Sequence, residues 1–232
     1  MYVSGKNVAI EILNNDQKVY KAFISNKFRE KNIILELQKR NISIEYVDKF
    51  YLDKIDKSNH QGIILDVPDF KYSNIEEIIK TENPFIVMLD HLEDPHNFGA
   101  IIRTCEAAGV DGIIIPKDRS VEVNGTVMKT SAGALTNMSI CTVTNLNSTI
   151  KSLKKKGFWV IGSDMDNSAV YSEVDYNIPL VLVIGSEGEG MSRLVKESCD
   201  IIVNIPMKGK INSLNASVAA GILIYKVIEK RN

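Results

Sequence analysis

The chain has few of the residues that mark secreted or metal-bound proteins. Its 232 residues include only three cysteines, three histidines and one tryptophan. The cysteines, Cys105, Cys141 and Cys199, are odd in number and none forms a Cys-x-x-Cys pair. This pattern favours neither a disulfide framework nor a zinc site. Because free cysteine usually packs as a small apolar side chain, we expect buried thiols in a cytoplasmic protein.

Long apolar runs are also absent. No run reaches the roughly 18 residues needed to cross a bilayer, and residues 1–31 are too polar for a signal peptide. The composition, 44% hydrophobic and 25% charged, is that of an ordinary soluble globular protein. The net charge of -1 neither indicates nor excludes a nucleic-acid partner, since phosphate binding depends on a local cluster of cations. We expect no membrane segment.

Residues 1–70 read as a small α/β unit. Apolar spacing predicts a helix within 3–14 and another over 27–40, with strands near 19–24, 42–47 and 60–67. Residues 68–84 contain two prolines and a capping-box pattern, Asn74-x-x-Glu77, and form the best boundary. We predict a first domain over 1–70, a linker over 71–83 and a second domain over 84–232.

Beyond the boundary, short apolar runs alternate with helical segments. The predicted strands are 85–89, 112–116, 139–143, 158–162, 180–185 and 201–206, and the predicted helices are 97–108, 125–135, 147–156, 191–197 and 213–230. Continuous apolar strands separated by helices are typical of a parallel sheet covered on both faces. The fold class is therefore α/β with a mostly parallel sheet.

Ligands of open α/β sheets bind beyond the carboxyl ends of the strands, so the loops there carry the candidate site. In the loop over 90–103, Pro95 and Gly99 shape the start of a helix, Asn97 is the predicted N-cap, and Arg103 lies about a turn and two-thirds further on. The same spacing also fits a plain cap and a surface ion pair. His91 and His96 lie nearby, but no third metal ligand follows at a helical offset, so we expect no metal site.

The second loop, 185–190, reads Gly-Ser-Glu-Gly-Glu-Gly. It lacks the Lys-Ser/Thr of a P-loop, and its glycine order is not that of a dinucleotide-binding fingerprint. Glu187 and Glu189 would repel a pyrophosphate, so the loop suits a neutral or positive ligand. S-adenosylmethionine, with its sulfonium, is one candidate.

The third loop belongs to the stretch 205–221. Ser213 or Asn212 is the predicted cap of the last helix, and Asn215 falls on a different face from the predicted buried stripe. That stripe comprises Leu214, Val218, Ile222 and Tyr225.

The three loops carry motifs that resemble those of a known family. They are Asp94-Pro95-x-Asn97-x-Gly99-x-x-x-Arg103, Ile184-Gly185-x-Glu187-Gly188-x-Gly190, Ile205-Pro206-Met207-x-Gly209 and Ser213-Leu214-Asn215-x-Ser217-x-Ala219. In order and spacing they resemble the motifs of the SpoU (TrmH-type) RNA ribose 2'-O-methyltransferases of the SPOUT superfamily. One departure is Ala216, where many relatives carry valine.

The N-terminal part extends the resemblance. Residues 5–13 and the block 60–63 are similar to the L30e-like substrate-binding domain of the subgroup that modifies a guanosine of 23S rRNA. The resemblance implies a C-terminal SPOUT domain with a deep trefoil knot, an exception to the rule that chains avoid knots, preceded by a small L30e-like domain. It also implies a homodimer with both active sites near the interface.

The resemblance further implies that S-adenosyl-L-methionine is bound in a bent form, largely by backbone groups. The residues implied for this cofactor are Gly185, Ile205, Met207 and Leu214. Those implied for the reaction site are Asn97, Arg103, Glu187, Ser213 and Asn215.

The implied reaction is methyl transfer to a ribose 2'-hydroxyl, in which the protein mainly aligns the oxygen and assists loss of its proton. A free guanidinium keeps its proton, so Arg103 is a poor base. Our hypothesis is that Arg103 positions an RNA phosphate and stabilises developing oxyanion charge, while Glu187, a phosphate oxygen or water accepts the proton. Asn97, Ser213 and Asn215 would organise the loops and contact the ribose.

The N-terminal domain would then bind the RNA. The candidates for phosphate contact are Lys6, Lys18, Lys21, Lys27 and Arg29, although a charged helix is more often a solvated face. A guanosine of 23S rRNA is the favoured target and tRNA the alternative. An inactive RNA-binding or ribosome-assembly protein of the same fold is a further alternative. A nicotinamide-dependent oxidoreductase fits the α/β pattern but lacks the glycine fingerprint.

Overall fold

The computed structural model describes residues 1–57, 59–79, 81–164, 169–210 and 213–231. Packing divides the chain into two compact units, Met1–Lys71 with Glu122–Asn137, and Tyr72–Val121 with Met138–Asn232. The domain boundaries drawn from the sequence stay a prediction. Packing adds to the first unit the segment 122–137, which lay within the predicted second domain.

The secondary structure alternates between strands and helices. The elements up to residue 71 are β1 (Tyr2–Ser4), α1 (Lys6–Asn14), β2 (Lys21–Ser25), α2 (Lys31–Lys39), β3 (Ser43–Val47), α3 (Lys49–Ile55) and β4 (Ile63–Asp66). The elements after residue 72 are a 3₁₀ turn (Ile75–Ile78), β5 (Phe85–Asp90), α4 (Pro95–Ala107), β6 (Gly112–Pro116), α5 (Gly125–Thr130), a 3₁₀ turn (Ala134–Thr136), β7 (Ile140–Val143), α6 (Leu146–Lys155), β8 (Trp159–Ser163), β9 (Ala169–Val170), β10 (Leu180–Gly185), α7 (Arg193–Ser198), β11 (Ile201–Asn204) and α8 (Ala216–Arg231).

The first unit holds a four-stranded mixed sheet in the order β1-β4-β2-β3. β2 pairs with β3 in parallel, and the other two pairings are antiparallel. The predicted helices and strands are present, but β1 and α3 were missed. The side chain of Asp48 caps α3 by accepting a hydrogen bond from Tyr51 N at 2.8 Å. Aspartate is a preferred N-cap residue, so Asp48 was the signal in the sequence for the start of this helix.

The second unit holds a seven-stranded sheet in the order β7-β6-β5-β10-β8-β11-β9, and every pairing in it is parallel. All six residues of β5 and all six of β10 are buried, which explains their continuous apolar sequence. The predicted parallel α/β architecture is confirmed, and the two-residue strand β9 was missed. The trefoil knot stays a prediction.

The register of this sheet sets the position of the candidate site. Asp90, the last residue of β5, pairs with Gly185, the last residue of β10. The loops after β5 and β10 therefore start side by side at the carboxyl edge of the sheet, as the loop prediction required.

The buried face of α8 differs from the predicted one. Ala216, Ala220 and the later residues Leu223, Ile224 and Val227 are buried, whereas Val218 and Tyr225 are 49% and 52% exposed. The helix is apolar on nearly all sides, so its periodicity did not identify the packed face. Its small alanines form part of the buried face, and α8 packs against α4 and β10.

The three cysteines are buried to different degrees. Cys105 and Cys141 are buried and Cys199 is partly buried. Burial raises the pKa of the Cys199 thiol to about 12 and that of Cys105 even further. Within the described ranges, no helix has the length and apolarity to span a bilayer, and no group of three or more potential metal ligands occurs.

Candidate active site

The first motif begins with a helix cap that the sequence reasoning misplaced. Asp94, not Asn97, is the N-cap of α4, because its Oδ1 accepts a hydrogen bond from His96 N at 2.7 Å. Pro95 occupies the first helical position, where its missing N–H costs nothing. The hydrogen bonds to the Asp94 carboxylate, from His96 N above all, lower its pKa. Asn97 lies within the first turn, so its amide is available for other contacts.

The Asn97 amide joins three motifs. Its Nδ2 donates to Glu187 Oε1 and, at 3.3 Å, to Asp94 Oδ2. Its Oδ1 accepts a hydrogen bond from Asn215 Nδ2 at 3.0 Å. Asn215 Nδ2 also donates to Glu187 Oε1, at 3.3 Å. Three side chains that are far apart in sequence thus form one hydrogen-bonded group.

Asn215 has a second role that the sequence reasoning gave to its neighbours. Its Oδ1 accepts hydrogen bonds from Ser217 N at 2.9 Å and from Val218 N at 3.3 Å, so Asn215 caps α8. The predicted cap Ser213 is exposed and precedes this position, and the other predicted cap, Asn212, lies outside the described residues. The amide of Asn215 therefore links the start of α8 to the group around Glu187.

The loop after β10 is a tight turn. Ser186 and Gly190 exchange two backbone hydrogen bonds of 3.0 Å, which closes the loop on itself. A Cβ atom on Gly185 would overlap the backbone of Gly190 and Met191, so this position requires glycine. The closed loop presents Glu187 to Asn97 and Asn215.

A cavity of about 320 Å³ lies between this loop and the segment after β11. All four residues implied for the cofactor, and also Glu187 and Ser213, line it. The four are Gly185, Ile205, Met207 and Leu214. The volume is within the range of small-molecule sites in proteins.

The polar groups in this cavity suit a ligand with positive charge and hydrogen-bond donors. Its wall carries the carboxylates of Asp164, Glu187 and Glu189, and Asp164 is paired with Lys196 at 2.7 Å. The Oδ1 atom of Asn204 also belongs to a lining residue, and it is buried without a partner among the described residues. An unsatisfied buried acceptor is costly, so a donor from a ligand would stabilise it. Asn204 was not among the residues predicted from the sequence.

Among the described residues, Arg103 neither joins the hydrogen-bonded group of Asn97, Glu187 and Asn215 nor lines the cavity that Glu187 shares with Ser213. It lies on α4, six residues after Asn97, which corresponds to about 9 Å along the axis and a different face of the helix. Its side chain is exposed, and it has no hydrogen bond or ion pair within the described parts of the chain. Its role stays a prediction.

The basic candidates of the first unit are held in different ways. Lys6 pairs with Glu30 and Lys21 with Glu45, each at 2.6 Å, and Lys18 lies over the ring of Tyr20 at 4.9 Å. Arg29 donates to two backbone carbonyls, and the side chain of Lys27 is exposed. Their contact with RNA stays a prediction.

Comparison with known proteins identifies the family. Residues 84–225 match the family model described as the SpoU rRNA methylase family, and residues 2–73 match that described as RNA 2'-O ribose methyltransferase substrate binding. The chain belongs to the SpoU rRNA methylase family. The chain thus joins a SpoU methylase segment to a segment that matches the substrate-binding model.

Individual relatives agree with this membership. The SpoU chain is 45% identical to the Bacillus subtilis protein YacO, named for the TrmH family of tRNA/rRNA methyltransferases, over 100% of this chain and 96% of that protein. It superimposes on the SpoU methyltransferase AviRb of Streptomyces viridochromogenes, solved with AdoMet, with a TM-score of 0.85, 22% identity and coverage of 100% and 90%. The A. aeolicus TrmH/SpoU tRNA modifying enzyme is 33% identical, with a TM-score of 0.60 and coverage of 67% and 79%.

Proposed function

We propose that this SpoU chain transfers a methyl group from S-adenosylmethionine to a ribose 2'-hydroxyl in RNA. The observation that carries the proposal is the hydrogen-bonded group of Asn97, Glu187 and Asn215 beside the cavity lined by the four implied cofactor residues. Family membership and the AdoMet complex of AviRb support the same reaction.

The polar groups that line the cavity match those of the cofactor. The cavity's carboxylates favour a cation, and the Oδ1 of Asn204, which has no partner among the described residues, would accept a hydrogen bond from a donor such as an amine. Gly185, Ile205, Met207 and Leu214 would hold the cofactor. When bound, the cofactor supplies a methyl group on a sulfonium, which is a good leaving group.

The protein's part is to place the ribose and remove its proton. Asn97 and Asn215 both donate to Oε1 of Glu187, which fixes the carboxylate beside the cavity. The other oxygen, Oε2, has no hydrogen bond among the described residues and is the one available to a ribose hydroxyl. Glu187, an RNA phosphate oxygen or water accepts the proton.

Arg103 positions an RNA phosphate and stabilises charge on the attacking oxygen. Its guanidinium fork matches two phosphate oxygens, which an ammonium does not. The variant Arg103→Lys keeps the charge and loses the fork, so we expect a lower rate across the pH range of the assay. Near wild-type turnover in a pH–rate profile would remove any special role for the guanidinium.

The favoured substrate is a guanosine of 23S rRNA in the cytoplasm, because the N-terminal segment resembles the domain of that subgroup. The alternative is tRNA, and the names of the relatives include both RNAs. Mapping 2'-O-methyl groups in rRNA and tRNA from cells with and without this protein decides between them. An rRNA guanosine that loses its methyl group in the deletion strain is the expected result.

The assembly we propose is a homodimer formed through α8. Val218, Ile222 and Tyr225 lie at i, i+4 and i+7 and form an apolar stripe, in which Val218 and Tyr225 are about half exposed and Ile222 is partly buried. A second copy would bury it. Replacing Tyr225 by Glu should convert the dimer to a monomer in analytical ultracentrifugation, and an unchanged sedimentation coefficient would contradict this interface.

An inactive RNA-binding protein is the competing function. Such a protein has no need of the cavity or of Glu187 in its present contacts. Calorimetry with S-adenosylmethionine separates the two, because only the enzyme is expected to bind it.

A further inference from the structure

Two residues of the second unit adopt an unusual backbone conformation. Among its described non-glycine residues, only His91 and Arg119 have positive φ angles, 56° and 51°. Left-handed backbone is uncommon for arginine and tends to persist where the surroundings impose it. Both residues line the same two cavities, of about 600 and 460 Å³, at the carboxyl edge of the sheet.

Hydrogen bonds fix this arrangement. The buried carboxylate of Asp90 accepts from Ser192 N at 2.6 Å, and its other oxygen lies 2.5 Å from Nδ1 of His91. The loop that carries Arg119 is tied back to the same place, because Val121 N donates to Leu92 O at 2.8 Å. Hydrogen bonds to Asp90 at the end of β5 and to Leu92 just after it thus hold the segments that line the two cavities.

The two cavities are adjacent, since both are lined by His91, Arg119, Ser192 and Arg193. We name the space that they form the arginine cleft. The first of its cavities also shares the loop 186–190 with the proposed cofactor cavity. The cleft therefore runs from the proposed reaction site toward the ends of β6 and β7.

Charge is distributed unevenly along this path. Arg119 and Arg193 line both cavities, but the far cavity sets them against the single carboxylate of Asp118. The cavity at the reaction site has five carboxylates in its lining, those of Asp90, Glu93, Asp94, Glu187 and Glu189. Arg119 has no hydrogen bond or ion pair to any part of the chain that is described. Within the described ranges Arg193 is paired with Glu197 alone, at 3.0 Å, and the two side chains are 80% and 56% exposed. A phosphate can replace Glu197 in such an exposed pair.

We propose that the arginine cleft binds the substrate RNA strand next to the target nucleotide, with Arg119 and Arg193 contacting its phosphates. Arginine matches phosphate oxygens with two parallel N–H donors. The cleft borders the loop 186–190, whose carboxylates Glu187 and Glu189 also line the proposed cofactor cavity, so phosphates bound by the arginines would lie next to the reaction site. This inference rests on the proposed function and assigns substrate-positioning residues that belong to none of the family motifs.

The test is the salt dependence of RNA binding by the full chain. Arg119→Asn removes the cation and keeps a residue that tolerates positive φ. With in-vitro-transcribed 23S rRNA, and bulk tRNA as a second probe, we expect affinity to fall about tenfold. The slope of log K against log salt should fall in magnitude by about 0.7 to 0.9 for each lost phosphate contact. Arg193→Gln should act in the same direction.

The matched control is Lys155→Gln, which removes one exposed cation at the far end of α6. It should leave affinity and slope unchanged, and all variants should keep the wild-type melting temperature and cofactor affinity. In methylation assays Arg119→Asn should raise KM for RNA with little effect on kcat at saturating RNA.

The outcomes separate this inference from the proposed function. If the wild type methylates RNA but Arg119→Asn and Arg193→Gln bind it as the control does, the arginine cleft is not the RNA site. If the wild type transfers no methyl group to either RNA, the proposed function itself fails. A change in association state without a change in slope would also overturn the cleft proposal.

Discussion

In the second unit, polar side chains from three separate loops bond to one another at one edge of a sheet, whereas in the first unit charged side chains form exposed pairs across the surface. Asn97, Glu187 and Asn215 belong to the first kind, and the pairs Lys6–Glu30 and Lys21–Glu45 to the second. A connected group holds each member in one geometry, which chemistry requires. Exposed pairs contribute little to stability and can exchange partners, which suits contact with a long polyanion.

Removing the centre of the connected group is expected to have the largest effect. Asn97→Ala deletes hydrogen bonds to Glu187, Asp94 and Asn215, so the carboxylate loses its position and kcat should fall about 100-fold. Asn97 does not line the cofactor cavity, so the affinity for S-adenosylmethionine should stay near that of the wild type. Methyl-transfer kinetics and calorimetry test the two parts.

The variant Asn97→Asp sharpens this test. It keeps the shape of the side chain but places a second carboxylate against Glu187, and we expect activity at least as low as that of Asn97→Ala. Wild-type turnover in either variant would show that the group around Glu187 has no part in the reaction.

A methyl group at Gly185 should have the next largest effect. Because its Cβ would overlap the backbone of Gly190 and Met191, Gly185→Ala should lower the free energy of unfolding by about 1–3 kcal/mol and weaken cofactor binding. The stability control is Gly188→Ala in the same loop, where a Cβ would meet no atom within 4 Å. Equal melting temperatures for the two variants would contradict the close contact.

The cap of α4 should contribute less. Asp94→Ala removes the acceptor for His96 N, and we expect a loss of about 1 kcal/mol at pH 7. Since the folded state lowers the pKa of Asp94, this stability is present above the pKa of the unfolded chain and is lost as the pH falls through the folded value. Urea titrations at pH 7 and near pH 3 should therefore show the difference from wild type shrinking in acid. The control is Asp118→Ala, which removes a carboxylate that caps no described helix and should leave the free energy of unfolding nearly unchanged at both pH values.

The smallest effect is expected in the first unit. Lys21→Gln breaks the exposed pair with Glu45, and the melting temperature should change by no more than about 1 °C. RNA affinity should fall more clearly than stability, with a reduced salt slope. If Lys21→Gln and the matched variant Glu45→Gln bind RNA equally well, Lys21 is not a phosphate contact.

The sheet of the second unit was predicted well because its strands have a clear sequence pattern. β5 and β10 are apolar at nearly every position, and such runs fit a parallel sheet buried on both faces. α3 and the three-residue strand β1 were missed because short elements carry too few residues for a clear period. In the candidate site, the motif residues were found by resemblance, and Asn204 was missed because a lone asparagine at a strand end carries no signal of its own.

Sequence alone determined the parallel α/β class and the positions of the three polar loops. It also showed that the motifs in these loops resemble those of one family. Only the tertiary structure decided how those loops meet. Asp94 takes the cap, which leaves Asn97 to bond with Glu187, and Asn215 both caps α8 and completes the group. It also decided that α8 buries Ala216 and Ala220 and exposes Val218 and Tyr225. The physical reason is that capping and packing are competitions among neighbouring residues, and partners distant in sequence decide which of them wins.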